Sequence, residues 1–342
     1  MGAKSWNAGI IRPVAVAPAG PYQDGAAKGV WTLDQAAFWQ KQGLWPTAGN
    51  VAPIGLFGGG SVSVTYYNVI DRVLIENLGN AVDFGDLTRQ NNLLASAASS
   101  VRGVWAGGVV AGGSKTNIID YVTIASSGNA VDFGDLTVVR RSPSGASNNT
   151  RALFSGGNNA AGSATNVIDY ITIASLGNAI DFGDLLFTTN FSSACASSTR
   201  VITTESNTNT INYITIATLG NSVDFGDFLG TQNGSTGCSS QTRGVFALGE
   251  RSGVISNVLE YITISTTGNA IDFGDLTLAK IFSAGCSSST RGLFGGGENS
   301  GGTVQNVIDY VTIASIGNAI DFGDLTVART SLAACSNAHG GL

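Results

Sequence analysis
From Ile54 onward, hydrophobic and polar positions recur in one order, clearest between Ser283 and Leu325. The small-residue run Ser283-Ala284-Gly285-Cys286-Ser287 predicts a first strand, and a tight Ser/Thr turn leads into a second. That second strand, Arg291-Gly292-Leu293-Phe294, ends in Gly295-Gly296-Gly297. After a variable loop, Val307-Ile308-Asp309-Tyr310-Val311-Thr312-Ile313 is apolar on both sides. That is the pattern of a strand sandwiched between neighbours. Gly317-Asn318 reads as a short positive-φ hairpin turn into a fourth strand, Ala319 to Leu325. These strands are lettered a to d. The octapeptide Gly-Asn-x-x-Asp-Phe-Gly-Asp occurs six times, its last aspartate at Asp86, Asp135, Asp184, Asp227, Asp275 and Asp324. The spacings are 49, 49, 43, 48 and 49 residues. A repeat of roughly 40–50 residues rich in glycine and β-branched residues predicts a β-propeller, one copy per blade. The expected fold is all-β, with six blades.

The first copy starts at strand b (Ile54-Gly55-Leu56-Phe57-Gly58-Gly59-Gly60), and the last stops at strand a (Ser331 to Ser336). Together the fragments make one blade. The C-terminal strand is therefore expected beside the first repeat, closing the ring and removing exposed sheet edges. The domain reading is an arm over residues 1–53 and a propeller over 54–342. The strand order, the Gly-Gly end of strand b and the small/Arg approach to it resemble kelch-type propellers. The aromatic pair typical of kelch is replaced by strand-c Tyr and the motif Phe.

Composition changes little in this picture. Of 342 residues 47 are glycine, and much of the excess is repeated turn glycine rather than disorder. The net charge of −6 carries little about partners, because 17 of the 23 acids sit in three repeated slots. Twelve are motif aspartates, and the other five are Asp71, Asp120, Asp169, Glu260 and Asp309. No signal peptide or myristoylation motif is read at the start, and no apolar run approaches the ~20 residues of a membrane span. A soluble protein made in a reducing compartment is expected. Cys195, Cys238, Cys286 and Cys335 share a slot with Ala97 and Ala146, which reads as a small buried position rather than a disulfide or metal set.

Candidate chemistry is thin. The motif phenylalanines are expected to pack between blades, the glycine to allow a bulge, and the aspartates to accept backbone N–H groups or pair with the repeated arginines. Calcium at these carboxylates is the alternative, without an Asp-x-Asp-x-Asp loop to support it. Asp-Phe-Gly in six copies, with no His-Arg-Asp loop, is not a kinase site. The single histidine, His339, reads as a solvated residue of a flexible tail. Histidine-ligated copper chemistry is thereby excluded. Arg102, Arg151, Arg200, Arg243 and Arg291 are spread one per blade, unlike a sialidase arginine cluster. No enzyme activity, cofactor or metal is expected.

Function is therefore sought where copies differ. The a–b and c–d turns share one face and are nearly uniform, whereas the b–c and d–a connections share the other and vary. Arg89, Lys115, Arg140, Arg141, Arg251, Lys280 and Arg329 fall in or beside them, against three glutamates, with Tyr66, Tyr67, Phe187, Phe191 and Phe282 as aromatic surface. The residues expected to bind a receptor are Tyr66, Tyr67, Lys115, Arg140, Arg141, Arg251 and Lys280. A mildly basic, aromatic face suits an acidic glycan or protein patch and is too weak for nucleic acid.

The arm holds four of the five tryptophans. Thr32-Leu33-Asp34-Gln35 resembles a capping box opening a short helix through Phe38, Trp39 and Lys41. Trp6, Trp31, Phe38, Trp39 and Trp45 are the expected anchor onto another subunit. The segments Gly29-Val30-Trp31-Thr32-Leu33 and Gly43-Leu44-Trp45-Pro46 resemble the N-terminal part of virion structural proteins of marine, cyanophage-like tailed phages. The repeats Asn166 to Ala174 and Gly177 to Leu185 are similar to repeats in the same proteins. The resemblance implies a virion component present in several copies. Its expected partners are other tail or capsid proteins, through residues 1–53, and a host surface glycan or protein, with no membrane insertion. It leaves open a fibre-associated adhesin or a purely architectural subunit, such as a capsid decoration or tail collar.

Overall fold
The computed structural model describes residues 52–342. The arm helix expected through Phe38 and Trp39, and the anchor residues Trp6, Trp31 and Trp45, lie outside the described residues.

Residues 54–342 form a six-bladed β-propeller with no helix among the described residues. Five blades run in sequence order from strand a to strand d. In the second blade these are Ala95–Ala98, Arg102–Ala106, Ile118–Thr123 and Val131–Asp135. The first blade is made from both ends, Ala333–Ser336 pairing antiparallel with Ile54–Gly58 in the register Gly55↔Ser336 to Gly58↔Ala333. The closure expected from the incomplete copies is thus present.

The six-fold motif is a stitch between blades. The Gly-Asn pair lies in the long c–d connection rather than in a short hairpin turn, which corrects the sequence expectation. In the junction of the first two blades, Gly128 donates its N–H to the Phe84 carbonyl (2.9 Å) and Ala130 to the Asp86 carbonyl (2.7 Å). The Asn129 side chain accepts from the Asp86 N–H at 3.1 Å. Gly85 must be glycine because a Cβ there would meet the Gly128 carbonyl oxygen of the next blade. The motif phenylalanines pack between blades as expected: Phe84 joins Val122, Ile124 and Ala130 of the second blade in one core cluster.

The repeated arginines do not pair with the motif aspartates, contrary to expectation. Each guanidinium stacks on the strand-c tyrosine of its own blade, as Arg243 does over Tyr261 at 4.3 Å, and donates to a carbonyl of the next blade, Ile313 at 2.9 Å. Planar guanidinium is suited to stacking and donating at once.

The cysteine slot has a partner that the sequence reading missed. Cys195 Sγ would lie 2.8 Å from a Cβ added at Gly244 of the next blade, and Cys286 likewise 2.8 Å from one at Gly55. Where the slot holds Ala97, the facing residue is Ala152; where it holds Ala146, the facing residue is Val201. The cysteines thus meet glycine and the alanines meet a larger residue, so that small faces large across the junction, as a close-packed interior requires. All four thiols are free and buried, and burial pushes Cys195 and Cys335 up to about 12. Gly244→Ala is expected to cost about 1–3 kcal/mol by overpacking. Cys195→Ala in the same chain should recover most of that cost by reproducing the Ala97/Ala152 pair. Urea midpoints of the two singles and the double check this, and strict additivity would sink it.

Candidate functional site
Two positions after each motif carry the contrast between scaffold and site. Five residues past its last aspartate stand Asn91, Arg140, Thr189, Gln232, Lys280 and Arg329. Seven residues past it stand Leu93, Ser142, Phe191, Gly234, Phe282 and Ser331.

The first set points into the junction with the next blade. Arg140 lies 2.9 Å from Asp169, Lys280 3.0 Å from Asp309 and Arg329 3.1 Å from Asp71, and the six side chains are essentially fully buried. Burial pushes the Arg140, Lys280 and Arg329 cations below their usual ranges, while the facing carboxylates pull them back up. Where Thr189 fills the slot, the acid position across the junction is Asn212, which donates to Glu205 at 2.6 Å. Thr189 and Asn212 are thus a neutral counterpart of the three ion pairs, whereas opposite the neutral Asn91 and Gln232 stand the acids Asp120 and Glu260, which meet Arg89 at 3.9 Å and Arg251 at 3.6 Å instead.

These pairs correct the receptor residues. Arg140 and Lys280 are withdrawn from the surface, because an aspartate across the blade junction holds each one inside. Lys115 bridges neighbouring loops by donating to the Asn159 carbonyl (2.7 Å) and the Ala160 carbonyl (3.2 Å). Arg251 reaches Glu260 at 3.6 Å. Tyr66, Tyr67 and Arg141 are half-buried on the loop face, Tyr66 in a small hairpin where Val62 pairs with Thr65. The basic face read from the sequence is mostly internal bracing.

The second set rings the axial mouth on the loop face. All six residues have φ between 49° and 59°, and five of them are not glycine. A left-handed conformation strains Leu and Phe most, and a turn of this kind would accept glycine more cheaply. The connections are tied edge to edge: Ser142 N–H donates to Leu93, Leu93 to Ser331, Ser331 to Phe282, and Phe282 to Gly234, at 2.7–3.1 Å. Phe282 lies across Gly234 and packs on Phe191, with ring centroids 5.3 Å apart. Below this rim a cavity of about 110 Å³ is lined by Ser144, Ser193, Ser235, Thr236 and Ser283 with small apolar neighbours. Among the described residues, no charged side chain lines the rim or this cavity. Sequence reasoning singled out Phe191 and Phe282 but missed Leu93, Ser142 and Ser192. The available signal was a fixed spacing with changing chemistry.

The opposite mouth carries the strand-a cysteines and is covered by the chain after Ser336. His339, expected in solvent, sits in this mouth instead. It makes a 2.9 Å hydrogen bond with the Ala98 carbonyl, and its Nδ1 accepts the Gly341 N–H at 3.0 Å. That arrangement assigns the proton to Nε2, which faces Ala98. Ser147 Oγ is 3.4 Å away. Burial pulls the imidazole down to about 4 from 6.5, against the opposing effect of the Ala98 bond. A base with a depressed folded pKa binds fewer protons folded than unfolded, so acid destabilises this docking. The contribution of the docked ring is expected intact above about pH 6.5 and lost progressively down to about pH 4. Following the His339 ring protons by NMR checks this, and titration near 6.5 in the folded protein would contradict it.

No protein-family model matches the chain, and no curated protein matches it.

Proposed function
We propose that the chain is a non-catalytic binding module of a tailed-phage particle, tail- or fibre-associated, that presents its loop face to a glycan or protein on the host surface. The observation that carries this reading is the division of the ring. The motif stitch between blades and the arginine that opens strand b repeat from blade to blade, while the six equivalent mouth positions hold Leu, Ser, Phe, Gly, Phe and Ser. A rigid scaffold whose equivalent positions differ in chemistry around one mouth is the organisation of a binding face. The groups that might have served catalysis are already engaged, His339 with Ala98 and the repeated arginines with tyrosine rings and carbonyls. Placement in a particle is supported by the resemblance of residues 29–33, 43–46 and the repeats to phage virion proteins, with the 1–53 segment as attachment and several copies per particle.

A second reading, an architectural subunit, is favoured by a separate feature. The first residue of every strand d is exposed and aliphatic: Val82, Val131, Ile180, Val223, Ile271 and Ile320. Leu78, Leu176, Leu219 and Ile316 lie beside them in the c–d connections. Such a perimeter is suited to packing against neighbouring subunits. The test is a reconstruction of the intact particle together with binding of the full-length chain to host cells. An outward loop face and saturable cell binding are expected. A loop face buried against other particle proteins, with no cell binding, would give the architectural reading.

A further inference from the structure
We propose that the axial well on the loop face binds the terminal residue of a neutral saccharide. The inference rests on the binding-module reading and names its ligand class.

Three observations converge on it. The rim is apolar and partly aromatic: Leu93, Phe191 and Phe282 are half-buried there, held by a strained backbone in place of the glycine that the turn would accept most easily. Retaining bulky side chains at a position that penalises them points to work done by those side chains. The tilted Phe191–Phe282 pair offers a surface for the C–H face of a sugar ring.

Between these apolar groups stand two hydroxyls without a partner. Ser142 and Ser192 are 5% and 9% exposed, both line the upper cavity, and neither Oγ makes a hydrogen bond among the described residues. Their neighbours lower in the well are satisfied: Ser235 donates to Ser193 at 2.9 Å, and Ser144 lies 2.8 Å from Ser155. A buried hydroxyl left alone costs about 1–3 kcal/mol. Two of them beside an aromatic shelf form a recognition pair for a molecule carrying hydroxyls on an apolar frame.

The third observation is charge. Among the described residues, neither the upper nor the lower cavity is lined by a charged side chain, since the nearby cations are consumed in blade junctions. A carboxylate or phosphate would enter this well without a counter-charge and lose its hydration. An acidic sugar, which suited the basic face read from the sequence, is therefore disfavoured in favour of a neutral one.

The experiment is ligand-observed NMR on the full-length chain with methyl glycosides of glucose, galactose, mannose and N-acetylglucosamine, and with N-acetylneuraminic acid as the charged probe. At least one neutral glycoside should bind, and the charged probe should not. Phe191→Ala is expected to weaken that binding about tenfold or more, the equivalent of about 1.4 kcal/mol. Ser142→Ala with Ser192→Ala should weaken it by a similar factor while leaving the thermal midpoint unchanged or raised, because an unsatisfied buried hydroxyl is removed. A merely structural role for these serines would lower the midpoint instead. Failure of every neutral glycoside, equal binding of the charged sugar, or binding insensitive to these substitutions overturns the proposal. If the chain binds host cells and no glycoside competes, a protein receptor is indicated and this inference alone falls. If it binds neither cells nor glycosides, the binding-module reading falls with it.

Discussion

Arg329→Ala is expected to destabilise the propeller by about 3–5 kcal/mol, the range for breaking one side of a buried ion pair. Arg329 follows the last strand d and meets Asp71 in strand c of the first blade, so the pair spans the junction between the last blade and the blade that both ends of the chain build. Its Nη2 lies 3.1 Å from Asp71 Oδ2 and also donates to the Phe57 carbonyl at 3.1 Å. Asp71 is completely buried. It accepts in addition from the Thr326 hydroxyl at 2.5 Å and the Thr326 N–H at 3.0 Å. Alanine would leave that carboxylate inside with only the threonine bonds. Arg329→Gln combined with Asp71→Asn should recover most of the loss, because the third and fourth blades already join through the neutral residues Thr189 and Asn212. The exposed Arg291–Glu76 pair, at 3.7 Å, gives the comparison: Glu76→Gln should change stability by no more than about 1 kcal/mol. Urea midpoints at constant m-value measure all of these. An Arg329→Ala loss no larger than that of Glu76→Gln would refute the closing role of the pair.

Gly323→Ala is expected to cost about 4 kcal/mol, combining backbone strain with overpacking. Gly323 has φ +144°, and a Cβ there would stand 2.5 Å from the Gly79 carbonyl oxygen and 3.0 Å from the Asn80 nitrogen. Both obstacles are backbone, so neither can rotate away. The same contact brings the Gly79 N–H to Phe322 at 2.9 Å and the Ala81 N–H to Asp324 at 2.7 Å, stitching the last blade to the first. Gly79→Ala separates the two contributions. Gly79 has φ +146° but open space where a Cβ would go, so it should show the strain alone, about 1–3 kcal/mol. If the two alanine variants unfold at the same denaturant concentration, close approach between blades is not what the motif glycine serves.

Both predictions concern features whose place was legible in the sequence and whose purpose was not. The octapeptide gave the blade count, and its irregular ends gave the ring closure. Its carboxylates drew attention as candidate pairing groups, yet the stitch uses the backbone of Asp86 and the side chain of Asn129. Backbone partners leave no trace in residue identity. The charges misled for a related reason. Arg140 and Lys280 lie between variable connections in the chain, and a local reading places them on the surface. Their partners Asp169 and Asp309 are each 29 residues further along, in a strand-c slot that holds an acid in five of six copies and so reads as scaffold. The two slots do not spell out the pairing even together, because the neutral Asn91 and Gln232 stand opposite the acids Asp120 and Glu260.

The mouth of the channel marks a different limit. Phe191 and Phe282 are 91 residues apart, and nothing local to either says that they stack. They meet because six connections of equal length converge on one axis and Gly234 between them leaves room. His339 is a clearer case. A lone histidine among glycines is featureless as sequence, and its pKa is depressed only because docking into the mouth buries the ring, against the opposing effect of the Ala98 bond.

The sequence by itself determined the repeat, the four-strand blade, the number of blades and the joining of the ends, because periodicity of apolar and glycine positions is a local property that each copy restates. Only the tertiary structure decided which charges are buried, which residues face each other across a junction, and what lines the axis. Those are properties of closing the ring: each blade meets its neighbour through positions that are ordinary in one copy and acquire a partner only in the next.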